Sequence, residues 1–75
     1  MTVQYRVAFG KKDEVVEGPD DAEVVVTIAA ADAFIEPTVA YMQGRLKSTG
    51  STARLFQVLR SGEAEEAIKR LASRP

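Results

Sequence analysis

Apolar and polar residues alternate from the start of the chain, with Val3, Tyr5, Val7 and Phe9 set against Gln4, Arg6 and Ala8. A period of two predicts a strand with one face in the core. Gly10-Lys11-Lys12-Asp13 predicts a hairpin loop, and residues 14–17 a short return strand around Val15-Val16. Gly18-Pro19-Asp20-Asp21 reads as a turn, because proline fixes φ and aspartate tolerates tight backbone geometry. Residues 23–28 form a β-branched run in which Val24, Val26 and Ile28 share one face and Val25 takes the other. That is the pattern of the most buried strand. A helical turn with Asp32, Phe34 and Ile35 follows, limited by Pro37.

Beyond Pro37 the period lengthens. Pro37 suits the first position of a short helix, and Gly44 suits its end. Residues 45–49 return to alternation and predict a strand, stopped by Gly50. Ser51 can cap a helix over 51–60 that carries Leu55, Phe56 and Leu59 on one face and Val58 at its margin. Ser61-Gly62 breaks the run, and residues 63–72 form a second helix with Ala64, Ala67, Ile68, Leu71 and Ala72 as its apolar stripe. Glu65 with Lys69, and Glu66 with Arg70, are i,i+4 pairs in the favourable orientation. The order strand, strand, strand, short helix, strand, helix, helix defines an α+β fold. We expect one domain spanning residues 1–75, an antiparallel sheet of about four strands covered on one face by helices.

Composition removes several kinds of chemistry. The 75 residues include no cysteine and no histidine. A disulfide framework, a thiolate metal site, the usual zinc constellations and a histidine general base are therefore all excluded. So short a chain buries only about 60% of the surface exposed by its unfolded form, so its core must serve stability first. Residues 1–9 alternate instead of forming a continuous apolar block, and no stretch reaches the length of a membrane span. The expectation is a soluble, cytoplasmic domain.

Net charge is −1 but unevenly distributed. Residues 1–36 hold three basic and eight acidic side chains; residues 37–75 hold seven basic and three acidic ones. Such asymmetry signals either two solvated faces that attract each other or a surface for an anionic partner. The acidic residues fall in turns (Asp20, Asp21) or on the outer face of the last helix (Glu63, Glu65, Glu66), where solvated charge is the rule. No phosphate-loop spacing is present, and five scattered aromatic rings do not make a stacking platform for nucleic acid. We expect no enzyme activity, no cofactor, no metal and no nucleic-acid partner.

One ordered run stands out: Pro37, then Tyr41-Met42, Gln43-Gly44, Arg45-Leu46-Lys47 and Gly50, followed by an amphipathic helix. It resembles the signature of the sterol carrier protein family of non-specific lipid-transfer domains, with a weaker likeness from about Val3 to Leu59. The chain departs from the family pattern in lacking the usual leading helix and strand, and in passing almost directly from Phe34-Ile35 to Pro37. The resemblance implies a reduced sterol carrier domain that binds or transfers an apolar ligand such as a fatty acyl chain or a sterol-like ring system.

The candidate ligand-binding residues are Phe34, Tyr41, Met42, Leu46, Leu55, Phe56 and Leu59, with Gln43 as a polar group. Taken as residues alone they read first as core; in relatives the matching segments line a lipid tunnel. Arg45 and Lys47 should share the solvent side of their strand, facing acidic residues of the first 36 or an anionic membrane surface. The missing elements leave a sheet edge and part of an apolar face to be covered, either by the final helix or by a second chain, and of the two we expect a symmetric homodimer. The rival readings are a tunnel-less interaction or dimerisation module, and an accessory subunit of a lipid-metabolising enzyme.

Overall fold

The computed structural model describes residues 2–73. Four strands are present, β1 (Val3–Gly10), β2 (Asp13–Glu17), β3 (Val24–Ala29) and β4 (Leu46–Gly50). Three α-helices accompany them, α1 (Pro37–Met42), α2 (Thr52–Ser61) and α3 (Glu63–Ala72), with a single 3-10 turn at Ala30–Asp32. The architecture is α+β: one four-stranded sheet with helices packed on it.

The sheet is mixed. Its order is β2-β1-β3-β4, with β1–β2 and β3–β4 antiparallel and the central β1–β3 pair parallel. Alternation along a strand shows which face is buried but not which neighbour it meets, so the expectation of an antiparallel sheet holds for the two outer pairings only. The chain leaves β2 at the sheet edge, crosses the start of β1 through residues 18–23, and enters β3 on the other side.

That crossing brings backbones close together. Gly18 sits at φ 114°, and a Cβ there would lie 2.5 Å from the Val3 carbonyl oxygen. Gln4 clasps the connector: its amide nitrogen donates to the carbonyls of Gly18 and Pro19 and to Asp20 Oδ1, at 3.1–3.4 Å. Its carbonyl oxygen accepts from Arg6 Nε at 2.8 Å. Gln4 lies on the face opposite Val3, Tyr5 and Val7, yet it is only 1% exposed, because the crossing connector covers it. At the far end of the β3–β4 pair, Gly50 (φ 101°) passes so close to Glu23 that a Cβ would stand 1.9 Å from its carbonyl oxygen. Only glycine fits both the angle and the space.

The register places Val3, Tyr5 and Val7 beside Val24, Val26 and Ile28, and Ile28 beside Leu46. These side chains meet Leu55, Val58, Leu59, Ala64, Ala67 and Ile68 from the helices, together with Ala33 and Ala40, in one core. In α2, Val58 is buried and Phe56 is at the margin, the reverse of the expected assignment. The α3 helix lies over β1 and β2. Of the two covers expected for the apolar face, the final helix of the same chain supplies one, over β1 and β2.

Three ion pairs join the acidic and basic parts of the chain: Arg45 with Asp32 at 2.8 Å, Arg54 with Glu23 at 3.5 Å, and Arg70 with Glu17. The charge asymmetry therefore reads in large part as internal attraction. Glu65 pairs with Lys69 as its spacing predicts, at 2.8 Å. The expected Glu66–Arg70 pair is replaced by the Arg70–Glu17 contact, because α3 lies against β2.

Candidate functional site

The signature run builds α1 and the strand after it. Pro37 occupies the start of α1, and the Glu36 carboxylate accepts from the backbone N–H groups of Thr38 and Val39 at 3.2 and 3.1 Å. A carboxylate at this end also suits the positive pole of the helix. Gly44 (φ 75°) follows the Gln43 cap, so α1 is only six residues long. It buries Pro37 and Ala40 and leaves Val39 and Met42 outside.

The eight candidate ligand residues separate into two groups. Leu46, Leu55 and Leu59 are buried members of the common core. Phe34 is 65% exposed, Met42 79% and Phe56 40%. Tyr41 is half-buried and links the groups, its ring meeting that of Phe56 edge-on with centroids 5.7 Å apart and planes at 87°. Gln43 is exposed at the C-terminal cap of α1, where its backbone N–H returns to the Val39 carbonyl. Val39, three residues before Met42 on the same helix, adds a further exposed apolar side chain. Sequence reasoning passed over Val39; the signal was the shortness of a helix bounded by Pro37 and Gly44.

The result is a set of exposed apolar side chains on α1, α2 and the segment before them, with Tyr41 and Phe56 in contact between the two helices. Basic residues follow these segments in the chain. Arg45 is held by Asp32, and Arg60 lies one helical turn beyond Phe56 on α2. Lys47 is exposed while Leu46 between it and Arg45 is buried, so the alternation expected for this strand is present.

A concave feature lies beside α3, toward the β2 end of the sheet. A cleft of about 450 Å³ opens between the start of β1, the end of β2 and α3. Tyr5 lies at its base, only 5% exposed, and its hydroxyl donates to Glu63 Oε2 at 3.3 Å. Burial, and then the neighbouring Glu63 carboxylate, push the Tyr5 phenol well above its usual range, so it stays protonated. The Glu17–Arg70 pair, Glu66 and Thr2 complete the polar side chains of the lining. No pattern in the sequence joins Tyr5 to Glu63 or Glu17 to Arg70, since each pair is brought together only by the docking of α3 on the sheet.

Among the described residues no group of three acidic side chains is placed to hold a metal ion, and no helix is long and apolar enough to cross a membrane. No family model matches the chain, no curated protein matches it, and no solved structure matches it.

Proposed function

We propose that this domain is a non-enzymatic binding module that takes an apolar, lipid-like molecule on the patch formed by Phe34, Val39, Tyr41, Met42 and Phe56. The observation that carries the reading is the exposure of Phe34, Val39, Met42 and Phe56 on α1, α2 and the segment before them, with the half-buried Tyr41 ring against Phe56. Contiguous exposed apolar surface on a small domain marks an interaction site. The run that resembles the sterol carrier signature supplies α1 and β4 of this site, which favours an acyl chain or sterol-like ring as the ligand. Met42, flexible and almost wholly outside the core, suits an occupant of variable shape. In this form the ligand lies on the surface instead of in a tunnel among Leu46, Leu55 and Leu59.

The same patch supports a second reading, in which another copy of the chain covers it and the domain self-associates. A fluorescent acyl probe and light scattering after size exclusion separate the two. Saturable probe binding that is lost in Phe56→Ala and Met42→Ser, on a particle of constant mass, supports the ligand reading. A mass that falls across a hundredfold dilution supports self-association, because an obligate dimer depends on concentration. Absence of binding to any acyl or sterol probe at micromolar concentration, with a monomeric mass throughout, overturns both. The anionic membrane partner rests on the basic residues that follow these segments, and salt-dependent association with anionic vesicles tests it.

A further inference from the structure

The cleft at the α3 end stands apart from the apolar patch and has a different chemistry. It brings together two hydroxyls, of Thr2 and Tyr5, three carboxylates and one guanidinium. The guanidinium of Arg70 is engaged by Glu17, and the Glu63 carboxylate receives the Tyr5 hydroxyl. Glu66, deprived of the Arg70 partner that its spacing predicts, has no ion-pair partner among the described residues. Carboxylates outnumber cations in the cleft, so its field favours a positive guest. The acceptors are spread along the walls and do not converge on one point, which disfavours a bare metal ion. A guest with several N–H donors can reach separate acceptors, while Val3, Pro19 and Ala67 line the same space with apolar surface for a short stem.

We propose that this cleft binds a small organic cation, a primary ammonium or guanidinium on a short aliphatic stem, with Glu66 and Glu63 accepting its N–H groups and the buried Tyr5 phenol oxygen fixing its depth. Tyr5 is the feature that makes the cleft a built site. Its ring is locked in the core, and its hydroxyl direction is set by Glu63, so an oxygen lone pair is left for the guest. The inference is independent of the patch, and the two sites are tested by different probes.

Agmatine, which carries both head groups, is the probe, titrated into the labelled protein and followed by backbone amide shifts, with inorganic phosphate as the opposite-charge control. The expected result is a saturable shift confined to residues 3–5, 17–19 and 63–70, weakened by added salt. Glu66→Gln should weaken agmatine about tenfold, the loss of one charge-assisted hydrogen bond, with an unchanged melting temperature because the side chain is exposed and unpaired. Tyr5→Phe should weaken it less while keeping the same set of shifted amides. Failure to saturate by about 10 mM agmatine, a millimolar limit typical of unspecific ion pairing, overturns the proposal. So does equal affinity in Glu66→Gln, or phosphate saturating the same amides as tightly, which would give the cleft to an anion at Arg70.

Discussion

The two ends of the helical layer solve the same problem in opposite ways. At one end α3, ten residues long, sets Ala64 and Ala67 against the sheet and drives Ile68 into the core. Small side chains let the helix approach closely, and its charged residues reach across to the strands, as Arg70 does to Glu17. At the other end α1 has only six residues, fixed by Pro37 at its first position and Gly44 just beyond its C-terminal cap. So short a helix seals the sheet with Pro37 and Ala40 and leaves Val39 and Met42 outside. The difference teaches that helix length decides the outcome here more than apolar content. Both segments are rich in apolar residues, but only the longer one can bury a full stripe.

Substitutions sharpen that contrast. Ile68→Ala removes a fully buried side chain from the sealed end and should lower stability by about 2–5 kcal/mol, measured by urea unfolding. Phe56→Ala at the open end should cost only about 1 kcal/mol, mostly its edge contact with Tyr41, while abolishing acyl-probe binding. A loss as large as that of Ile68→Ala would make Phe56 a core residue and erase the distinction. Glu36→Ala, which frees the N–H groups of Thr38 and Val39, should destabilise by about 1 kcal/mol and loosen α1 selectively in hydrogen exchange.

The sealed end also carries a pH signature. The Tyr5 phenol ionises at higher pH in the folded protein than in the unfolded chain, first because it is buried and then because Glu63 is beside it. Above the ordinary tyrosine pKa of about 10 the unfolded chain binds fewer protons than the folded one, so stability falls as pH rises. The contribution is complete below that point and is lost progressively above it. Tyr5→Phe should lose about 1 kcal/mol at neutral pH and show a shallower alkaline decline than the wild type. Parallel declines would remove Tyr5 as the cause. The smallest expected effect is the coupling between Glu17 and Arg70, below about 1 kcal/mol in a double-mutant cycle and weaker in salt, since both side chains are substantially exposed.

Local features of the fold were legible in the sequence wherever one residue type dictates a backbone state. Pro37 opens α1, Ser51 caps α2 by accepting from the Arg54 N–H at 3.4 Å, and the stripe from Ala64 to Ala72 marks α3 with its bounds intact. The core faces of β1 and β3 follow from alternation alone. Neighbour relations were not legible. Nothing in Val24–Ala29 reveals that it lies parallel to β1, because consecutive strands are ordinarily adjacent and alternation is blind to direction. The candidate ligand residues were found as a set but not as two layers, since periodicity in a six-residue helix cannot separate an inward from an outward face. Gln4 is the sharpest case: its place in the pattern is opposite the core face, and the connector crossing over it buries it.

That crossing bears on the order in which the molecule assembles. A parallel pair of strands needs a long return path between its members, commonly a helix, and here β2 itself is the return path. The hairpin of β1 and β2 is local and can close in roughly 1–10 μs. Until the chain has travelled round the start of β1, however, the other edge of that strand has no partner. The expected slow event is therefore the closing of residues 18–23 over Gln4, after which β3 can dock and β4 can follow it by local pairing. A nascent chain that has exposed β1 and β2 but not β3 presents an open strand edge to its neighbours, and there the risk of misassembly is greatest.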